Sequence, residues 1–121
     1  MIKQLILGTI CLVLPFVVYA ECDSNEVGYV ATFKAKPGSE KEFEAVLSKL
    51  ANTVKRVEPG AIFYAPYKGT DGTYYMMERY TDEAARKAHG SHADVAAIFP
   101  ALGPLLAAPP DVQPISAICA G

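Results

Sequence analysis

Three segments of this chain read as strands that are apolar on both faces, and such strands must be covered twice. Thr73 to Tyr80 puts Tyr74, Met76, Glu78 and Tyr80 on one face and Tyr75 and Met77 on the other. Ala61 to Lys68 sets Ala61, Phe63 and Tyr67 against Ile62 and Tyr64, and Val27 to Ala35 sets Tyr29 and Phe33 against Val30. A sheet with one wet face alternates apolar and polar residues, and these segments do not. Helices of the same chain can cover one face, but the chain is too short to cover the other. A second copy, packed sheet against sheet, is the expected cover. The alternative is that tyrosines simply tolerate half-exposure.

Helical patterns separate the strands. From Ser39 to Val57, Phe43, Val46, Leu47, Leu50, Val54 and Val57 recur at helical spacing, so one stripe is buried. Ser39 is the expected cap, with Glu42 completing a capping box. Pro59-Gly60 ends that helix, and Gly69-Thr70-Asp71-Gly72 carries the Asp-Gly signature of a hairpin turn. A short helix over Asp82 to His89 follows, with Thr81 as its expected cap, and Gly90 stops it. Ser91 starts a further helical stretch through Val95, Ile98 and Phe99, broken by Pro100, Gly103 and Pro104 before about Ala107. Val112 to Cys119 is the fourth strand. The order βαββαβ is the α+β, ferredoxin-like arrangement, with expected sheet order 4-1-3-2.

The first 20 residues have the three parts of a secretory signal: Lys3, the apolar run Leu5 to Val18, and Val18-Tyr19-Ala20 before a cleavage point at Glu21. The run is shorter than the ~20 apolar residues a membrane span needs, and Pro15 interrupts it. Residues 21–121 are then a single exported domain, periplasmic or secreted, with no membrane attachment after cleavage. Lys3 is the only charge removed, so this domain has a net charge of −3 and no basic run. That balance argues against nucleic acid as a partner. The 51% apolar and 20% charged residues exclude disorder.

Cys22 and Cys119 remain after cleavage. In the expected topology the start of strand one lies beside the end of strand four, so an internal disulfide needs no detour of the chain. Closing the 97-residue separation removes roughly 4–5 kcal/mol of unfolded-state entropy. Two separate thiols, or a bridge between subunits, are the alternatives.

Phosphate-binding and dinucleotide-binding glycine motifs are absent from the sequence, as is any metal-ligand spacing. His89 and His92 lie three apart, but Gly90 breaks the helix that would align them and no third ligand is near, so no metal is expected. A helix-end role for His92 is the simpler reading. Glu78 interrupts an apolar strand face. A carboxylate there needs a partner or its pKa rises. A structural ion pair and a proton-sharing contact with a histidine across the sheet–helix gap are equally compatible with the sequence.

Phe33-Lys34-Ala35-Lys36-Pro37-Gly38-Ser39-Glu40-Lys41-Glu42-Phe43 resembles the opening of antibiotic-biosynthesis-monooxygenase (ABM) domains. Glu58-Pro59-Gly60-Ala61-Ile62-Phe63-Tyr64 is similar to their E-P-G-x-x-x-Y entry to the second strand. Met77-Glu78-Arg79-Tyr80 through Ala85 to His89 is similar to the E-x-W/Y-x-x-x-x-A-x-x-x-H signature, and Ser91-His92 followed by Phe99 continues it. The resemblance covers about residues 27 to 118. It implies a dimeric α/β-barrel and, for some members, oxidation of quinols or polycyclic phenols by O₂ with no cofactor. On this resemblance His89 is the catalytic base and Glu78 its orienting partner. Tyr64, Tyr74, Met76, Tyr80 and Phe99 would line a pocket for a small aromatic substrate. The alternative on the same barrel is a non-catalytic small-ligand-binding domain or a small-metabolite isomerase. The chain departs from the family in having Tyr80 where Trp is common, and it has no Trp. Ala96-Ala97-Ile98 replaces the helix histidine of a haem-degrading branch, so haem is not expected.

Overall fold

The computed structural model describes residues 22–119; the expected signal segment and its cleavage point lie outside them. Four strands form one antiparallel sheet: β1 (Val27–Lys34), β2 (Ala61–Lys68), β3 (Thr73–Tyr80) and β4 (Asp111–Ser116), in the order β2-β3-β1-β4. The helices are α1 (Glu40–Val57), α2 (Glu83–Ala88) and α3 (Ala93–Ala96), followed by 3₁₀ turns at Phe99–Ala101 and Gly103–Leu105. The α+β, ferredoxin-like architecture is as expected, including the broken helix ahead of β4. That strand is shorter than expected and ends before Cys119.

The core is the stripe of α1 laid on one sheet face. Phe43, Leu47, Leu50 and Val54 pack against Ala31, Phe33, Tyr74 and Met76, all buried. Each such apolar side chain contributes about 1.5–3 kcal/mol when fully removed from water. Phe33, Phe43 and Tyr74 meet edge to face, with centroids 5.7 and 5.1 Å apart. Val95, Ile98, Leu102 and Leu105 close the remaining end. The β2–β3 hairpin turns through Asp71 (φ 52°) and Gly72 (φ 69°), the left-handed pair that Asp-Gly predicts.

Three local expectations are corrected. Ser39 makes no side-chain cap to α1, and its capping box with Glu42 does not form; Glu40 instead accepts from the Gly38 amide. Asp82, not Thr81, caps α2 by accepting from the Ala85 amide. Ala61 and Phe63 do not share a face. A bulge at Ile62 inserts one extra residue, so Ala61 pairs with Tyr80 while Phe63 already pairs with Arg79. Ala61 and Tyr64 therefore look toward the helices, and Phe63 joins the opposite face.

Among the described residues no helix lies over that opposite face. Tyr67, Tyr75, Met77 and Ile115 are all exposed there. At the sheet's β1–β4 end, the Cα atoms of Cys22 and Cys119 lie 5.4 Å apart, a separation that a disulfide spans.

Candidate functional site

The chemistry-bearing residues gather where α1 ends, β2 begins and α2 ends. Glu58 is the first residue after α1, and its amide still donates to the Val54 carbonyl. It is thus held by the helix it terminates. His89 follows the last turn of α2 directly. The two side chains meet across 31 residues of sequence. The His89 Nδ1 lies 2.8 Å from Glu58 Oε2, and Glu58 Oε1 accepts from the Gly90 amide at 2.9 Å. Gly90 (φ 79°) has the left-handed conformation that turns its amide there, and the Phe99 ring packs where a Cβ would be.

A carboxylate only accepts, so Nδ1 carries the proton and Nε2 is left to accept. The Tyr64 hydroxyl faces Nε2 at 3.5 Å. The imidazole is walled by three aromatic rings, with centroids of Tyr64, Tyr80 and Phe99 at 5.2, 5.6 and 5.8 Å. Both members of the pair are nearly enclosed, His89 with 13% and Glu58 with 11% of the side chain exposed.

Glu78 stands beside this row. It is 6% exposed and accepts from the Tyr80 hydroxyl at 2.7 Å. Burial pushes its carboxyl above the usual carboxylate range, opposed by the Tyr80 hydrogen bond and the nearby His89. Burial and the adjoining carboxylates push the phenols of Tyr64 and Tyr80 far above their ordinary value, so both stay protonated.

The expected residues therefore divide. His89, Tyr64, Tyr80 and Phe99 come together, with Glu78 next to them. The orienting contact expected from Glu78 is made by Glu58 instead: among the described residues no hydrogen bond joins Glu78 to His89, because the Glu78 carboxylate turns to Tyr80. Tyr74 and Met76 do not belong to this cluster. Met76 is sealed in the core, and Tyr74 donates to Glu44 at the far end of β3. His92 does stand at a helix end, but it caps the start of α3 by accepting from the Asp94 amide on Nδ1 rather than by donating to terminal carbonyls. Among the described residues, no group of three or more His, Cys, Asp or Glu could hold a metal ion. No described helix is long and apolar enough to cross a membrane.

The arrangement is a row of proton-holding groups, Glu58–His89–Tyr64, with a second buried carboxylate alongside. It can take, hold and pass on a proton in a largely water-free setting.

Comparison with known proteins identifies the family of the chain. Residues 27–101 match the family model for antibiotic biosynthesis monooxygenases. A Caulobacter crescentus protein named as a candidate antibiotic biosynthesis monooxygenase is 34% identical. The match covers 78% of this chain and 92% of that one, with a TM-score of 0.74. Rv0793 of Mycobacterium tuberculosis is 24% identical over 78% of this chain and 97% of its own, with a TM-score of 0.71. SnoaB of Streptomyces nogalater, a cofactor-independent oxygenase, shares the fold at 23% identity and a TM-score of 0.68, over 77% of this chain and 93% of that one. No curated protein matches the sequence. Matched along most of its described length by sequence and by structure, the chain belongs to the antibiotic biosynthesis monooxygenase family.

Proposed function

We propose that this protein is a cofactor-independent oxygenase that oxidises a small quinol-like or phenolic compound with O₂. His89 is the base, and Glu58 positions it. The observation that carries this reading is the Glu58–His89–Tyr64 row, buried among aromatic rings. A phenol that loses its proton becomes electron-rich enough to give an electron to O₂. The two radicals combine into a C–O bond, and loss of water leaves a carbonyl. Written for a substrate RH₂, the sum is RH₂ + O₂ → R=O + H₂O. The substrate supplies all the electrons that O₂ takes up, so no external reductant is needed. The protein's part is to accept the proton and exclude water. Glu78 accepts from the Tyr80 hydroxyl beside this row. Oxygen uptake with a panel of hydroquinones tests the reading: His89→Ala is expected to abolish it, and an unchanged rate contradicts it.

One observation favours a second reading, a binding domain without turnover. Nε2 of His89 is covered by the Tyr64 hydroxyl and the ring is largely enclosed. An aromatic ligand recovered unchanged after hours in air would support that reading over the first.

We further propose that the chain works as an exported homodimer with a Cys22–Cys119 disulfide. The exposed Tyr67, Tyr75, Met77 and Ile115 on the sheet face opposite α1 support the dimer. The signal-like first 20 residues and the 5.4 Å Cα separation support export and the bridge. Sedimentation is expected to return twice the mass of the mature chain.

A further inference from the structure

β4 is held differently from the other three strands. It lies at the sheet edge, pairs with β1, and all six of its residues are exposed. Its apolar side chains hide little: Val112 is 48% and Ile115 39% exposed. One ladder of backbone hydrogen bonds with so little burial barely offsets the conformational entropy lost in ordering the strand. Segments of this kind open at the low end of local stability. Both ends of β4 are nonetheless tied down. Ahead of it, Leu106 bridges to Ala35, and the Ala107 amide donates to the Lys34 carbonyl at 2.8 Å. Behind it, the Ala117 amide donates to the Glu26 carbonyl at 2.9 Å, and Cys119 meets Cys22 just before β1.

The strand also flanks the buried carboxylate. Register sets Pro114, Tyr29, Glu78 and Tyr64 in one row across the inner face of all four strands. Pro114 ends that row on its outer side. Tyr29 comes next, half-buried, with the Arg86 guanidinium 5.1 Å from its ring centre, and Glu78 follows. Amides along a strand alternate in direction. Since the Ala117 amide points to β1, those of Gln113 and Ile115 do too, and Pro114, which has no N–H, faces the free edge.

We propose that the Cys22–Cys119 bridge is a redox latch on β4. Closed, it holds the strand against β1 beside the Glu78 row. Opened by a dithiol, it lets β4 leave while the rest of the domain stays folded. The inference rests on the bridge proposed above and is independent of the oxygenase reading. In the opening step a thiolate of the dithiol attacks one bridge sulfur, and the S–S bond breaks to leave a mixed disulfide and one cysteine thiolate. The second thiolate of the dithiol then displaces the other cysteine. The dithiol leaves as a disulfide, and its two electrons remain on Cys22 and Cys119, which each take up a proton. The β1 edge and Tyr29 are then open to water.

NMR of the ¹⁵N-labelled mature chain, before and after dithiothreitol, tests this. Alkylation of the denatured, unreduced chain with iodoacetamide comes first and is expected to add no label. Two labels would remove the bridge, and the latch with it. On reduction the amide signals of Gln113 and Ile115 are expected to move to random-coil positions, while those of Leu47 and Leu50 in α1 stay. Exchange of the two β4 amides with solvent is expected to speed up at least ~10-fold and to be insensitive to low urea, as local opening is. The double variant Cys22→Ser, Cys119→Ser is expected to reproduce the reduced spectrum. Unmoved β4 signals in a chain with two free thiols would overturn the latch and leave the bridge standing. Loss of the α1 signals together with those of β4 would also overturn it, because the bridge would then hold the whole fold and not one strand.

Discussion

The two ends of β3 carry the same pair of groups in opposite surroundings. At one end the Tyr74 hydroxyl donates to Glu44, and at the other the Tyr80 hydroxyl donates to Glu78, both at 2.7 Å. Both tyrosines are buried. Glu44, however, lies at the surface of α1 with Lys68 2.6 Å away, and the lysine followed by Tyr74 holds its carboxyl below the usual range. Glu78 lies inside with no cation bonded to it, and burial drives its carboxyl the other way. Bond length is therefore no guide to role. The surroundings of the carboxylate decide whether a tyrosine–carboxylate pair clips a surface or holds a proton.

The sharpest way to break this comparison is by activity. Glu58→Ala removes the group that orients His89 and is expected to lower turnover about 100-fold. Glu44→Ala, at the other end of β3, is expected to leave it unchanged. Equal losses in oxygen uptake would show that the two ends do not differ in function.

Stability comes next. Tyr80→Phe leaves a buried carboxylate without its hydroxyl donor and is expected to cost about 1–3 kcal/mol in urea unfolding. Tyr74→Phe leaves Glu44 with Lys68 and with water, so its loss is expected to stay under about 1 kcal/mol. Matching losses would erase the distinction.

The pH dependence sharpens the contrast with the smallest effect. Glu78 has its folded pKa raised above the ordinary 4.5, so the folded state holds its proton longer than the unfolded state does. Its contribution is fully present below 4.5 and is lost as pH rises through the raised value. Glu78→Gln is therefore expected to flatten that part of the stability profile and to raise stability at neutral pH. Glu44, with its pKa lowered, has the opposite sign. Its contribution is present above 4.5 and fades as pH falls, so Glu44→Gln is expected to flatten the acid side, and less so in high salt. Unfolding curves across pH check both signs.

Much of this molecule was legible because periodicity and turn chemistry are local. The stripe from Phe43 to Val54, the Asp71-Gly72 turn and the inward set of β3 all followed from spacing alone. The misread points have equally physical causes. An extra residue at Ile62 reverses the faces of β2, and nothing in Ala61-Ile62-Phe63 announces it. Tyr74 and Tyr80 share a face by parity, but parity reports a face and not a distance; six residues along a strand separate them by roughly 20 Å. In the sequence Glu58 stands out only as the first residue of the Glu58-Pro59-Gly60 motif. Its partner is 31 residues away, and pairing them requires the end of α1 to meet the end of α2. The available signal was a carboxylate placed directly ahead of Pro59-Gly60, at a helix end beside the entry to β2.

His89 answers to Glu58 rather than to Glu78. The ¹⁵N-coupled proton of the His89 Nδ1 tests it most directly by NMR. A slowly exchanging resonance is predicted in the unaltered protein, kept in Glu78→Gln and lost in Glu58→Ala. A resonance that survives Glu58→Ala and disappears in Glu78→Gln would contradict the account.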